Sequence, residues 1–150
     1  MTFFEDVTGR FYELHIDIAK AISGLSTKAL DWVPGPEMNS IAVLVVHLIG
    51  AERYWIGDVA LGDISDRVRE EEFLVSGLTV DNLEHRLFAA DEYIRLAMSH
   101  FSLQDIEKIC TSPRNEKTFT MGWSLLHALE HTALHTGHIQ LTRQLWFMKE

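Results

Sequence analysis

Apolar residues recur along most of the chain at intervals of three and four. Phe4, Val7, Phe11, Leu14, Ile18 and Ile22 form one such series, and Leu83, Leu87, Ala90, Ile94, Ala97 and Phe101 form another. This period is helical: residues three and four apart share a face of an α-helix, whereas a half-buried strand alternates at every second residue. Three breaks separate four such segments. They are VPGPEMNS (33–40), which holds two of the three prolines, the polar glycine-bearing stretch 62–79, and TSPRNEKTF (111–119), which holds the last. Asn39 or Ser40 is placed to cap the second segment and Thr79 or Asp81 the third, while Gly24 and Gly62 fall where helices end. Four amphipathic helices of about 20 residues or more, with no strand pattern, predict an all-α four-helix bundle. It would be a single domain over residues 1–150, with a long connection between the second and third helices. That connection either carries a short helical turn or crosses the bundle.

The charge balance narrows the function. A net charge of −9, with no cluster of Lys and Arg, argues against a nucleic-acid partner, which needs cations to neutralise phosphates. The most apolar run, IAVLVVHLI (41–49), is far shorter than the roughly 20 residues that span a bilayer, so no membrane partner is expected. The start, MTFFEDVTGR, lacks the basic and apolar regions of a signal peptide, and the single cysteine, Cys110, has no intramolecular partner. A cytoplasmic protein is expected. Nothing near Cys110 in sequence would activate its thiol, so it reads as a small buried or loop-edge residue.

The chemistry concentrates in HALEHTALHTGH (127–138), which holds four of the eight histidines. On a helical wheel His127, His131, His135 and His138 fall within an arc of about 80°, counting roughly 100° per residue. Trp123, Leu134, Leu141 and Leu145 lie on the same side, and Thr132, Thr136, Gln140 and Arg143 on the other. The histidine stripe is therefore expected to face the interior, where unpartnered polar rings are unfavourable. His131 and His135 stand at i and i+4, a spacing that lets two imidazoles bind one metal ion. The third ligand would come from a facing helix. His47 is placed to supply it, sharing a face with Val43, Leu44, Ala51, Tyr54 and Trp55 while Glu52 and Arg53 point away. Taken singly, His47 would read as a core residue bonded to a carbonyl, and the His131–His135 pair as a spacing that arises by chance on helices. Crowded together they would lack partners when neutral and repel when charged, and a metal ion resolves both difficulties. His127 and His138 are expected beside the ligands or lining the cavity, His15 in the core, and His85 and His100 at the surface.

Two stretches, NSIAVLVVHLIGAERYW (39–55) and LLHALEHTALHTGHIQLTRQLW (125–146), resemble the second and fourth helices of DinB-like proteins. These are metal-binding four-helix bundles that include the bacterial thiol-dependent S-transferases. The resemblance implies that His47, His131 and His135 are the metal ligands. One departure is His138, which stands where many members have glutamine. The resemblance also implies a homodimer. Val45, Ile49, Leu125 and Leu129, pointing away from the histidines on the wheel, could be covered by a partner chain or by the long connection.

Three imidazoles leave a coordination position open, as catalytic rather than structural zinc sites do. Zn²⁺ is the first expectation for this donor set and Ni²⁺ the next. The resemblance implies a low-molecular-weight thiol attacking an electrophile in stress response or detoxification, or a thiol-dependent isomerisation. The alternative is a non-catalytic metal-binding bundle that senses stress. Tyr54, on the face of His47, is a candidate to orient a reactant, and Glu130 a weak candidate for a general base.

Overall fold

The computed structural model describes residues 2–149. It is mostly helical. Helix α1 (Phe3–Ile22) is followed by the short α2 (Thr27–Leu30) and by α3 (Ile41–Glu52), which runs on into a π-helical segment, Arg53–Leu61. Then come the single turn α4 (Arg69–Glu72), α5 (Val80–Met98), the strands β1 (Ile109–Thr111) and β2 (Thr118–Thr120), and α6 (Met121–Met148). No helix among the described residues is long and apolar enough to cross a membrane.

The helix starts follow side-chain chemistry. Thr2 and Thr79 form reciprocal capping boxes with Glu5 and Asn82, and Ser40 and Thr120 accept hydrogen bonds from the amides of Val43 and Trp123. Each cap satisfies amides that have no intrahelical partner. The π-helical segment stops at Gly62, whose φ of 76° lies in the left-handed region that glycine enters without strain.

Helix α1 packs against α5 and α6, and α3 against the same two, so each long helix touches two others. Their shared core has two buried clusters. One gathers Ile18, Ile22, Leu44, Leu48, Leu83 and Ile139; the other gathers Phe11, Ile56, Ile94, Met121 and Leu125.

Three expectations are corrected. First, the break at 111–119 is the turn of an antiparallel hairpin, with Ile109 opposite Thr120 and Thr111 opposite Thr118. Three-residue strands are too short to show alternation. The hairpin is anchored by amides at the start of α6, Met121 donating to the Lys108 carbonyl (2.9 Å) and Gly122 to that of Ile106 (2.8 Å). Second, the face of α6 that enters the core carries Leu125, Ala128, Thr132, Thr136, Ile139 and Thr142, while Leu134 and Leu141 are exposed. The histidines lie along its flank. Threonine can sit inside a helical bundle because its hydroxyl bonds locally: Thr136 donates to the Thr132 carbonyl (2.8 Å). Third, Val45 and Leu125 are buried core residues, and Ile49 and Leu129 are half-buried against the core, so none of the four is an outward position.

Candidate metal centre

Packing of α3 against α6 brings His47 opposite His131 and His135. The His47 ring is buried, and the other two are half-buried. The Nε2 atoms of His47 and His131 lie 3.2 Å apart, as do those of His135 and His131. The three side chains thus offer ring nitrogens within 4.8 Å of one another, a cluster that could hold a metal ion. Tautomer chemistry supports that fit. The other nitrogen of His47, Nδ1, sits 2.8 Å from Glu72 Oε2. A carboxylate only accepts, so Nδ1 carries the proton and Nε2 presents its lone pair to the cluster. The buried Nδ1 of His131 has no hydrogen-bond partner among the described residues.

Electrostatics keep His131 and His135 neutral. Burial, reinforced by neighbouring His135 and His47, pushes His131 down to about 3. Burial and then His47 push His135 down to about 4. Neutral imidazoles are the form that binds a cation.

Glu72 was not anticipated from the sequence. It comes from α4, inside the long connection, and is buried against α3. Arg67 grips it with two hydrogen bonds, Nε to Oε1 at 2.5 Å and Nη2 to Oε2 at 3.0 Å. Burial would raise the Glu72 pKa, but the hydrogen bonds from His47 and Arg67 prevail and hold it below the usual carboxylate value. The strap fits because residue 50 is glycine: a Cβ there would collide with the Glu72 carboxylate. The only sequence trace was that Gly50 stands one turn beyond His47, because a connection without periodicity gives no facing direction for its acids.

The remaining candidates are placed as follows. His138 is exposed, and its Nδ1 lies 3.3 Å from Nδ1 of His135, outside the cluster. His127 stacks on Trp123, with ring centroids 4.7 Å apart and planes 11° from parallel. Tyr54 is half-buried; its hydroxyl bonds the buried Ser112 of the hairpin turn, and the Arg67 guanidinium lies 5.6 Å from its ring. Glu130 does not enter the site: its side chain is 79% exposed, and its carboxylate lies 3.8 Å from His127 Nδ1. The Cys110 thiol is pushed up by burial, which makes it a poor nucleophile. His85 and His100 are exposed, as expected.

His15 belongs to a separate network. It is buried in the core, with Nδ1 2.7 Å from Asp91 Oδ1 and Nε2 2.9 Å from Glu52 Oε1. Thr132, next in sequence to His131, donates to Glu52 Oε1 at 2.7 Å. Glu52 therefore points inward, contrary to the wheel, because His15 and Thr132 supply partners there. Burial favours neutral His15, but Glu52 and Asp91 overcome it and raise its pKa to about 10.

Comparison with known proteins bears on the fold and the family. A search of curated proteins found no match. A solved structure, a conserved protein of locus from Enterococcus faecalis, is 16% identical with a TM-score of 0.81, each chain covering 99% of the other. At that identity the likeness speaks for the fold. A family model described as mycothiol S-transferase matches residues 9–146, a span that includes all three clustered histidines. The chain belongs to the mycothiol S-transferase family, within the DinB-like superfamily.

Proposed function

We propose that this chain is a metal-dependent thiol S-transferase, built as a four-helix bundle, with His47, His131 and His135 as the ligands of a divalent ion. The observation that carries the reading is the convergence of three imidazole nitrogens within 4.8 Å, one ring held by a buried carboxylate on its other nitrogen. Family membership favours a thiol as the reactant. Zn²⁺ suits an all-imidazole donor set, with Ni²⁺ next. When bound, such an ion lowers the pKa of a thiol or water at its open position, so that a thiolate is available near neutral pH.

The chain's own residues supply the rest. Glu72 and Arg67 hold the His47 ring in one orientation, and His138 does the same for His135 from the solvent side. The exposed His138 also gives the thiol proton a route to water. The thiol sulfur then bonds to an electrophilic carbon as the leaving group departs with its bonding electrons. Tyr54 lies at the strap and is placed to orient a reactant. The setting proposed is cytoplasmic detoxification of small electrophiles. A homodimer would cover the exposed Leu134, Leu141 and Phe147 on α6, and light scattering of the purified protein tests it.

The decisive experiment is metal analysis of protein purified without a histidine tag, beside His47→Ala and His131→Ala. About one ion per chain, lost in both variants, is expected; sub-stoichiometric metal unaffected by either substitution overturns the ligand set. Mycothiol, bacillithiol, glutathione and cysteine are then each offered with a model electrophile. If none is conjugated in a metal-dependent way, the protein is a binding or sensing bundle instead.

A further inference from the structure

Beside the histidine cluster, four aromatic rings from three elements are locked together at the surface. Phe119 of β2, Trp123 and His127 of α6 form a row of nearly parallel rings. Phe119 and Trp123 are 4.4 Å apart at 21°, and Trp123 and His127 4.7 Å apart at 11°. Trp55, from the π-helical segment, stands across all three at 90°, 69° and 80°, with centroids 5.2, 5.3 and 4.7 Å away. A hydrogen bond from Ser124 Oγ to the Trp55 carbonyl (2.8 Å) fixes that crossing. The row runs into the cluster: His127 and His131 have centroids 6.2 Å apart.

Only Trp55 of the four packs against the core, at its second cluster. Trp123 keeps 43% of its surface open, and the buried face of α6 is made of small and aliphatic residues. An indole left open to water on a row of fixed rings, next to the proposed reaction site, marks a place for a ligand. Because packing already fixes the rings, a ligand would lose little freedom of the protein on docking there. A low-molecular-weight thiol is polar and makes poor use of ring surface. The other reactant is free to be apolar.

We infer that Trp55, Phe119, Trp123 and His127 form the subsite for the flat, apolar body of the electrophile, placing its reactive carbon toward His131. The inference rests on the transferase reading above, and it names the class of second substrate: electrophiles carrying an aromatic or similarly planar group.

The test uses two alkylating agents with the same thiol. Monobromobimane is planar and bicyclic; iodoacetamide is small and aliphatic. In both, a carbon–sulfur bond forms and halide leaves. In Trp123→Leu and Phe119→Ala, KM for monobromobimane is expected to rise about ten-fold more than KM for iodoacetamide. Leu126→Ala, on an exposed part of α6, should change neither. Equal effects on both agents, with metal content intact, overturn the subsite. Direct binding separates this result from failure of the transferase reading. The unreactive bimane thioether is titrated into wild-type protein and followed by its fluorescence anisotropy, with or without metal. Binding that weakens about ten-fold in Trp123→Leu sustains the subsite even if no turnover is found. Absence of binding, or binding that both substitutions leave unchanged, removes it.

Discussion

His15 and His131 share one small interior yet are held in opposite charge states, and the difference lies in their neighbours. His15 has a carboxylate on each nitrogen and is raised to about 10, whereas His131 faces other imidazoles and is lowered to about 3. The consequences for stability have opposite signs. A raised folded-state pKa gives stability that is complete below the unfolded value of 6.5 and is lost as pH climbs toward about 10. A lowered one gives stability present above 6.5 and lost as pH falls toward about 4 for His135 and about 3 for His131. Denaturation of metal-free protein across pH should show both limbs, and His131→Ala should flatten only the acid one. Glu72 makes a second residue-scale prediction. Glu72→Ala should weaken zinc binding about 10- to 100-fold in a chelator competition, and Glu72→Gln, which keeps an acceptor, should recover part of it. The three clustered histidines were legible because i, i+4 spacing and one histidine on an apolar stripe are both visible in sequence. Glu52 and Glu72 were not, since the partners that let an acid be buried come from distant segments: Glu52 meets His15 and Thr132, and Glu72 meets Arg67 and His47.

Among the elements, α1 and α5 follow their sequence pattern closely, while α6 departs from it. Apolar side chains are spread around α6 on all sides, so the wheel had no single direction to find, and buried threonines hid the inward face. The connection 62–79 lays Glu72 across Gly50 onto His47, which gives glycine a positional meaning. Gly50→Ala should expel Glu72 and lower zinc affinity as Glu72→Ala does. Gly9→Ala is the contrast: it lies in α1 with nothing within 4 Å of a new Cβ, and should stabilise the protein by about 0.5–1 kcal/mol in urea denaturation. The hairpin escaped notice because its strands are three residues each, but it delivers Phe119 to the ring row and Ser112 to Tyr54.

On the scale of the whole molecule, the proposed site joins α3, α4 and α6, so an ion held there ties together segments that part on unfolding. Zinc at a hundred-fold excess over its Kd should add about 2.7 kcal/mol of stability. That gain would appear as a rise in Tm, and it should vanish in His47→Ala. The order of helices and their shared packing could be anticipated from sequence because amphipathic periodicity records burial, and burial is what holds the bundle together. The charge inside it could not. Arg67 cancels Glu72, but His15 brings one positive charge to two carboxylates, Glu52 and Asp91. Asp91 is partly open to water, whereas Glu52 is buried and joined through Thr132 to the residue beside His131. In a medium of low polarisability a carboxylate so placed acts as a built-in counter-ion: it attracts a dication, and a monovalent ion half as strongly. Glu52→Gln should therefore loosen zinc in the same competition assay with every ligand still in place, and the loss should shrink little as salt is added, because solvent ions cannot reach the site of the missing charge.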